Sequence, residues 1–69
     1  MKTKENLLKW YDKEYCLQVV KQTGLSLQFV KNPTEEICLA AIKQNKDAID
    51  FVDIKKFPKV YKKYLSMYN

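Results

Sequence analysis

The apolar positions of this chain recur as a block. Tyr15–Val30 aligns without a gap on Ile37–Val52 at a constant offset of 22 residues. The Cys, Leu, Lys-Gln and Phe-Val positions are identical, and Val20/Ile42 and Leu27/Ile49 are close exchanges. A fixed period of roughly 20–50 residues marks stacked supersecondary units, none of which can bury its apolar face alone.

The first copy by itself is open to two readings. Leu25-Ser26-Leu27-Gln28-Phe29 alternates, and Gln22-Thr23-Gly24 could turn a hairpin. The second copy decides between them. Ala40-Ala41 and the preceding Glu35-Glu36 favour a helix, and Asp47 as N-cap with Asp50 at N3 opens another. Each copy therefore predicts two short helices: helix A over about 13–23 and 35–45, helix B over about 25–31 and 47–53. Asp12 and Thr34 are the expected N-caps of the A helices, with Asn32 before Pro33 as a competing start for the second. Gly24 suits a C′ position at positive φ. Its counterpart Lys46 would be strained there, so Asn45 is the alternative left-handed residue.

Ile37 to Ile42 is apolar without interruption, so this helix must be covered on nearly every side. It is expected at the centre, between the first repeat and the C-terminal segment. After Pro58, a first-turn residue, Val60, Tyr61, Tyr64, Leu65 and Tyr68 fall on one helical face and Lys59, Lys62 and Lys63 on the other. Ahead of the repeats, Asn6-Leu7-Leu8-Lys9 stands 22 residues before Gln28–Lys31 and reads as the end of a degenerate earlier unit. Leu7, Leu8, Tyr11 and Tyr15 recur there at helical spacing, beside Trp10.

The fold class expected is all-α: a short helical-repeat, α-solenoid-like bundle of about five or six short helices. One domain would span 1–69, with repeats over about 12–33 and 34–55 and a capping basic helix over about 57–68. Phe29, Val30, Phe51, Val52, Cys16, Leu17, Cys38, Leu39, Val20 and Ile42 are the expected core. Two full units fall short of the roughly three that a stack needs, so caps or a homodimer must supply the rest.

Charge divides the chain. Lys and acidic residues balance from Met1 to Asp53, so the whole net charge of +5 lies in Ile54–Asn69, in Lys55, Lys56, Lys59, Lys62 and Lys63. Every basic residue is Lys, and the bidentate guanidinium fork that reads guanine edges is missing. No apolar run reaches the roughly 18 residues of a membrane span, and no apolar stretch of a signal peptide follows Met1–Glu5. The cytoplasm of the producing or host cell is the expected location, with no membrane partner. Cys16 and Cys38 sit in apolar runs and read as reduced core thiols. A disulfide lacks secretory context, and a metal site lacks His and further Cys.

The stretch Val19–Asn45, with its Lys-Gln, Gly, Leu-Gln-Phe-Val and Glu-Ile-Cys-Leu-Ala-Ala elements, resembles the domain-of-unknown-function family "forty-one-sixteen". Copies of that family run in tandem in bacterial and large-virus proteins. The resemblance covers about 15–54 and implies an array of short-helix repeats, with no catalytic residue to carry over. The second copy departs from the pattern at Lys46, Asp47 and Asp50, where Gly24, Leu25 and Gln28 stand in the first.

An enzyme is the class most easily set aside. The chain has no His, no Arg and one Gly, so a Cys nucleophile would lack its base and no glycine-rich phosphate loop exists. Glu35 and Glu36 are accounted for by a helix start. No cofactor is expected. The leading expectation is a non-enzymatic protein-interaction module, of the kind a small phage or mobile-element protein uses to inhibit a host machine. The alternative is binding of nucleic acid or another polyanion through the Lys-rich C-terminal helix. The candidate contact residues are Lys55, Lys56, Lys59, Lys62, Lys63, Tyr64, Tyr68, Trp10 and Tyr11. The plainer accounts are that the rings close the ends of a small core and that the lysines form a solvated face.

Overall fold

The computed structural model describes residues 9–68. The expected earlier unit at Asn6, Leu7 and Leu8 lies outside them. Among the described residues five helices follow one another from Lys13 on: α1 (Lys13–Gln22), the 3₁₀ helix η1 (Gly24–Phe29), α2 (Glu35–Gln44), the 3₁₀ helix η2 (Lys46–Phe51) and α3 (Pro58–Tyr68). Among the described residues there is no strand, and the chain is all-α.

The A helices start where their caps dictate. Asp12 Oδ1 accepts from the backbone N–H of Glu14 at 2.9 Å and of Tyr15 at 3.3 Å. Thr34 Oγ1 accepts from the N–H of Ile37 at 3.2 Å, so the competing start at Asn32-Pro33 is not used. Both helices are ten residues long, and the 3₁₀ helices that follow are six residues each. The turn between them is the same in both copies: Thr23 N–H donates to the Val19 carbonyl and Asn45 N–H to the Ala41 carbonyl, at 2.8 and 2.9 Å.

Three expectations about these turns are corrected. The N-cap of η2 is Asn45, whose Oδ1 accepts from Asp47 N–H at 2.9 Å, so Asp47 lies inside the first turn. Among the described residues none has positive φ, neither Gly24 nor Asn45. Thr23 and Asn45 instead break each α-helix in extended conformations, at φ −140° and −150°. Lys46 therefore carries no left-handed strain. Gly24 serves a different end: a Cβ there would run into the Ala41 carbonyl oxygen and press on Gln44 and Asn45. Its glycine lets η1 approach the end of α2, where Gly24 N–H donates to Gln44 Oε1 at 2.5 Å.

Cys16, Val20, Leu27, Ile37, Cys38, Ala41, Ile42, Ala48, Val52 and Val60 form the buried core, with Leu17, Val30 and Leu39 half-buried against it. α2 sits at the centre, touching α1, η1, η2 and α3. The buried pairs Cys16/Val20 and Cys38/Ile42 recur 22 residues on as buried Val60 and half-buried Tyr64. Phe29 and Phe51, expected in the core, are 53% and 42% exposed. For Phe29 the 3₁₀ form is the reason. In it, side chains three apart eclipse, so Gly24 and Leu27 line up toward the core with Val30 just beyond, and Phe29 falls between them on another side. The B helices also end two residues earlier than expected.

Candidate functional site

The expected contact residues fall into two separate places. Trp10 belongs to an aromatic cluster at the α1–η1 end. Its ring meets Tyr15 edge-on at 5.5 Å between centroids and Phe29 at 5.6 Å. Its carbonyl accepts from Lys31 N–H at 3.1 Å and from the Cys16 thiol at 3.3 Å. Trp10 thus ties the segment before α1 to the one after η1, while the neighbouring Tyr11 is 63% exposed.

The second place is α3 and the turn before it. Asp53 Oδ1 accepts from the N–H groups of Lys55 and Lys56, fixing both lysines on an exposed turn. Lys59, Lys62 and Lys63 are exposed along α3. Val60 is the buried anchor of this helix, Tyr64 is half-buried, and Tyr61, Leu65 and Tyr68 are about two-fifths exposed rather than sealed in one apolar face. The rings form a ladder, Tyr61 stacked on Tyr64 at 6.3 Å and Tyr64 beside Tyr68 at 5.5 Å. Tyr68 is structurally committed: its hydroxyl donates to the Ile42 carbonyl at 2.5 Å, which would otherwise be an unpaired acceptor in the last turn of α2.

Two features on neither list emerge. Phe29 and Phe51 are exposed at the same register of two 3₁₀ helices that pack together. For Phe29 the eclipsed i, i+3 spacing of Gly24 and Leu27 was the available signal; Phe51, three residues past buried Ala48, carried none. The other feature is an open groove of about 470 Å³ between α1 and α2, lined by Leu17, Lys21, Glu36, Leu39, Ala40, Lys43 and Gln44. Leu17/Leu39 and Lys21/Lys43 are equivalent positions of the two copies, each one residue past a buried one.

Burial pushes the Cys38 thiol up to about 11, with Lys56 pulling weakly the other way. Burial, then Asp12, raises the Cys16 thiol too. Both are free, buried and protonated at neutral pH, the inert form of the side chain. Glu36 is lowered by the hydrogen bond and charge of Lys13, its ion-pair partner at 2.9 Å. Both members are exposed, so the pair adds little stability. Among the described residues no His, Cys, Asp or Glu cluster is arranged to hold a metal ion, and no helix is long and apolar enough to cross a membrane.

These features define a class: an all-α chain of short helices packed around α2. Its family can be stated as well. The chain belongs to the family described as Domain of unknown function (DUF4116), whose model matches residues 12–57. α3 lies beyond the matched residues. No curated protein and no solved structure matches the chain.

Proposed function

We propose that the chain is a non-enzymatic protein-interaction module. One observation carries this: the two copies keep Phe at one register, and in both it faces solvent, at Phe29 and Phe51. A shared Cys or Leu is accounted for by burial; a shared half-exposed Phe is not, because leaving about half of such a ring in water forgoes on the order of 1 kcal/mol. Large aromatic side chains of this kind anchor protein interfaces. Phe29 rests on Trp10, which adds the aromatic end with Tyr11 to the same reading.

The test is a Phe29→Ser/Phe51→Ser double variant, compared with the unaltered chain in affinity purification from the source cell and mass spectrometry. The expected result is a stoichiometric partner that the double variant loses while circular dichroism at the assay temperature shows its helices intact. A partner retained at full strength by the variant would overturn the role of this face.

A second reading has its own support. Lys59, Lys62 and Lys63 stand exposed beside the partly open Tyr61 ring, a combination that suits single-stranded nucleic acid. Binding of that kind must weaken steeply with salt. A fluorescence titration with an oligonucleotide that stays flat from low to physiological salt, or shows no binding, removes it.

A further inference from the structure

We propose that the groove between α1 and α2 is a second docking site, built for an amphipathic helix that is acidic. It lies apart from the Phe29/Phe51 face. Its floor is apolar: Leu17, Leu39 and Ala40 are half-buried, packed below and open above. Its volume of about 470 Å³ falls within the range of sites that bury apolar ligand groups. It runs alongside α2 from Glu36 to Gln44, roughly 12 Å at 1.5 Å per residue. That length accommodates about two turns of a partner helix, enough for anchors at i, i+3 or i+4 and i+7.

Charge selects the occupant. Lys21 and Lys43 occupy the same register of the last turns of α1 and α2, so both stand toward one end of the groove. Among the described residues neither makes an ion pair. At the other end Glu36 is paired with Lys13 at 2.9 Å, and Lys21 adds a further attraction on it. With Lys13, Lys21 and Lys43 against Glu36 alone, the groove keeps a net positive charge. Carboxylates of a partner helix placed one turn beyond its apolar anchors would meet it. A second copy of this chain fits badly, since α3, which among the described α-helices has the most open apolar side chains, carries Lys59, Lys62 and Lys63 and no acid. The segment Met1–Leu8 carries Lys2 and Lys4 against Glu5 alone. Nucleic acid supplies charge but no apolar ridge for the leucines.

The experiment is a selection from a displayed library of helical peptides against the full chain, followed by titration of the winning peptides. The expected winners carry apolar residues at i, i+3 or i+4 and i+7 with Asp or Glu beside them. Lys21→Glu/Lys43→Glu, which alters exposed residues only, should weaken them at least tenfold and shift a repeated selection toward basic peptides. Leu17→Ser/Leu39→Ser should abolish binding, with circular dichroism confirming that the helices persist. Phe29→Ser/Phe51→Ser should leave it unchanged. Winners without acidic residues, indifference to the lysine reversal, an oligonucleotide competing at equal concentration, or no winners at all would each overturn the groove proposal. Winners lost only in the phenylalanine variant would overturn it and leave the module reading standing.

Discussion

At Gly24 the missing side chain matters for space and not for backbone freedom. φ is not positive there, and the obstruction is the Ala41 carbonyl together with Gln44 and Asn45. Gly24→Ala should destabilise by about 1–3 kcal/mol through overpacking. Gly24→Asn should cost more still, whereas at a left-handed position Asn would be among the best replacements; urea melts of the two variants separate the cases. Phe29 and Ile37 make a second contrast. Phe29→Ala should cost on the order of 1 kcal/mol, since about half the ring is already in water. Ile37→Ala, with a side chain 1% exposed, should cost about 2–5 kcal/mol. Cys38 gives a pH prediction. Its thiol is raised in the folded state from 9.0 to about 11. Below pH 9 both states hold the proton and nothing changes. Between 9 and 11 the unfolded chain releases it and the folded chain does not, so stability falls across that window and levels off above it. Two pKa units correspond to roughly 2–3 kcal/mol. The decline should shrink in Cys38→Ala, the remainder belonging to Cys16; an unchanged slope in denaturant titrations at pH 8.5, 10 and 11 would rule out this assignment.

At the scale of the element, the α-helices were open to reading because their signals are local. Asp12 and Thr34 cap through their own side chains, and the 13–23 and 35–45 expectations miss the true ends by one residue. Asp12→Ala and Thr34→Ala should each cost ~1 kcal/mol, measurable by thermal melts, and the two should add because each acts on its own helix. The form of the B helices was not legible. Six residues between two fixed turns can close i→i+3 or i→i+4 bonds, and the packing of η1 and η2 on each other and on α2 selects the tighter form. That choice turned Phe29 outward. It is also why a shared Phe-Val looked like core when only Val52, and in part Val30, is covered. The groove was illegible for a related reason: Leu17 and Leu39 sit one position past Cys16 and Cys38, and their exposure depends on how far apart α1 and α2 stand. The C-terminal lysines were read correctly as exposed, but the bond from Tyr68 to the end of α2 joins residues 26 apart in sequence. Tyr68→Phe should cost about 1 kcal/mol and leave the ring ladder in place.

At the scale of the molecule, the packing is graded from α2 outward, and the sequence states why. α2 closes on η1 because Gly24 faces Ala41 with no side chain between them. One period later the equivalent pair is Lys46 and Lys63. Two long charged side chains cannot meet at that distance, and both are exposed. α3 accordingly touches η2 more lightly than α2 touches η1, buries only Val60, and leaves Tyr61 and Leu65 open. Local opening follows the number of buried apolar contacts that an element holds. Native-state hydrogen exchange should therefore find the central amides of α2 protected by the full unfolding free energy, and those of α3 released earlier in a separate sub-global step. Val60→Ala removes the one buried anchor of α3 and should lower α3 protection further while changing the α1–η1 amides little. Equal protection of α2 and α3 would mean that the C-terminal helix belongs to a single cooperative unit. The exposed tyrosines would then have to be explained by a partner rather than by loose docking. Early release instead makes α3 the part of the fold most readily displaced, with its lysines and tyrosines free to move as one body against whatever they meet.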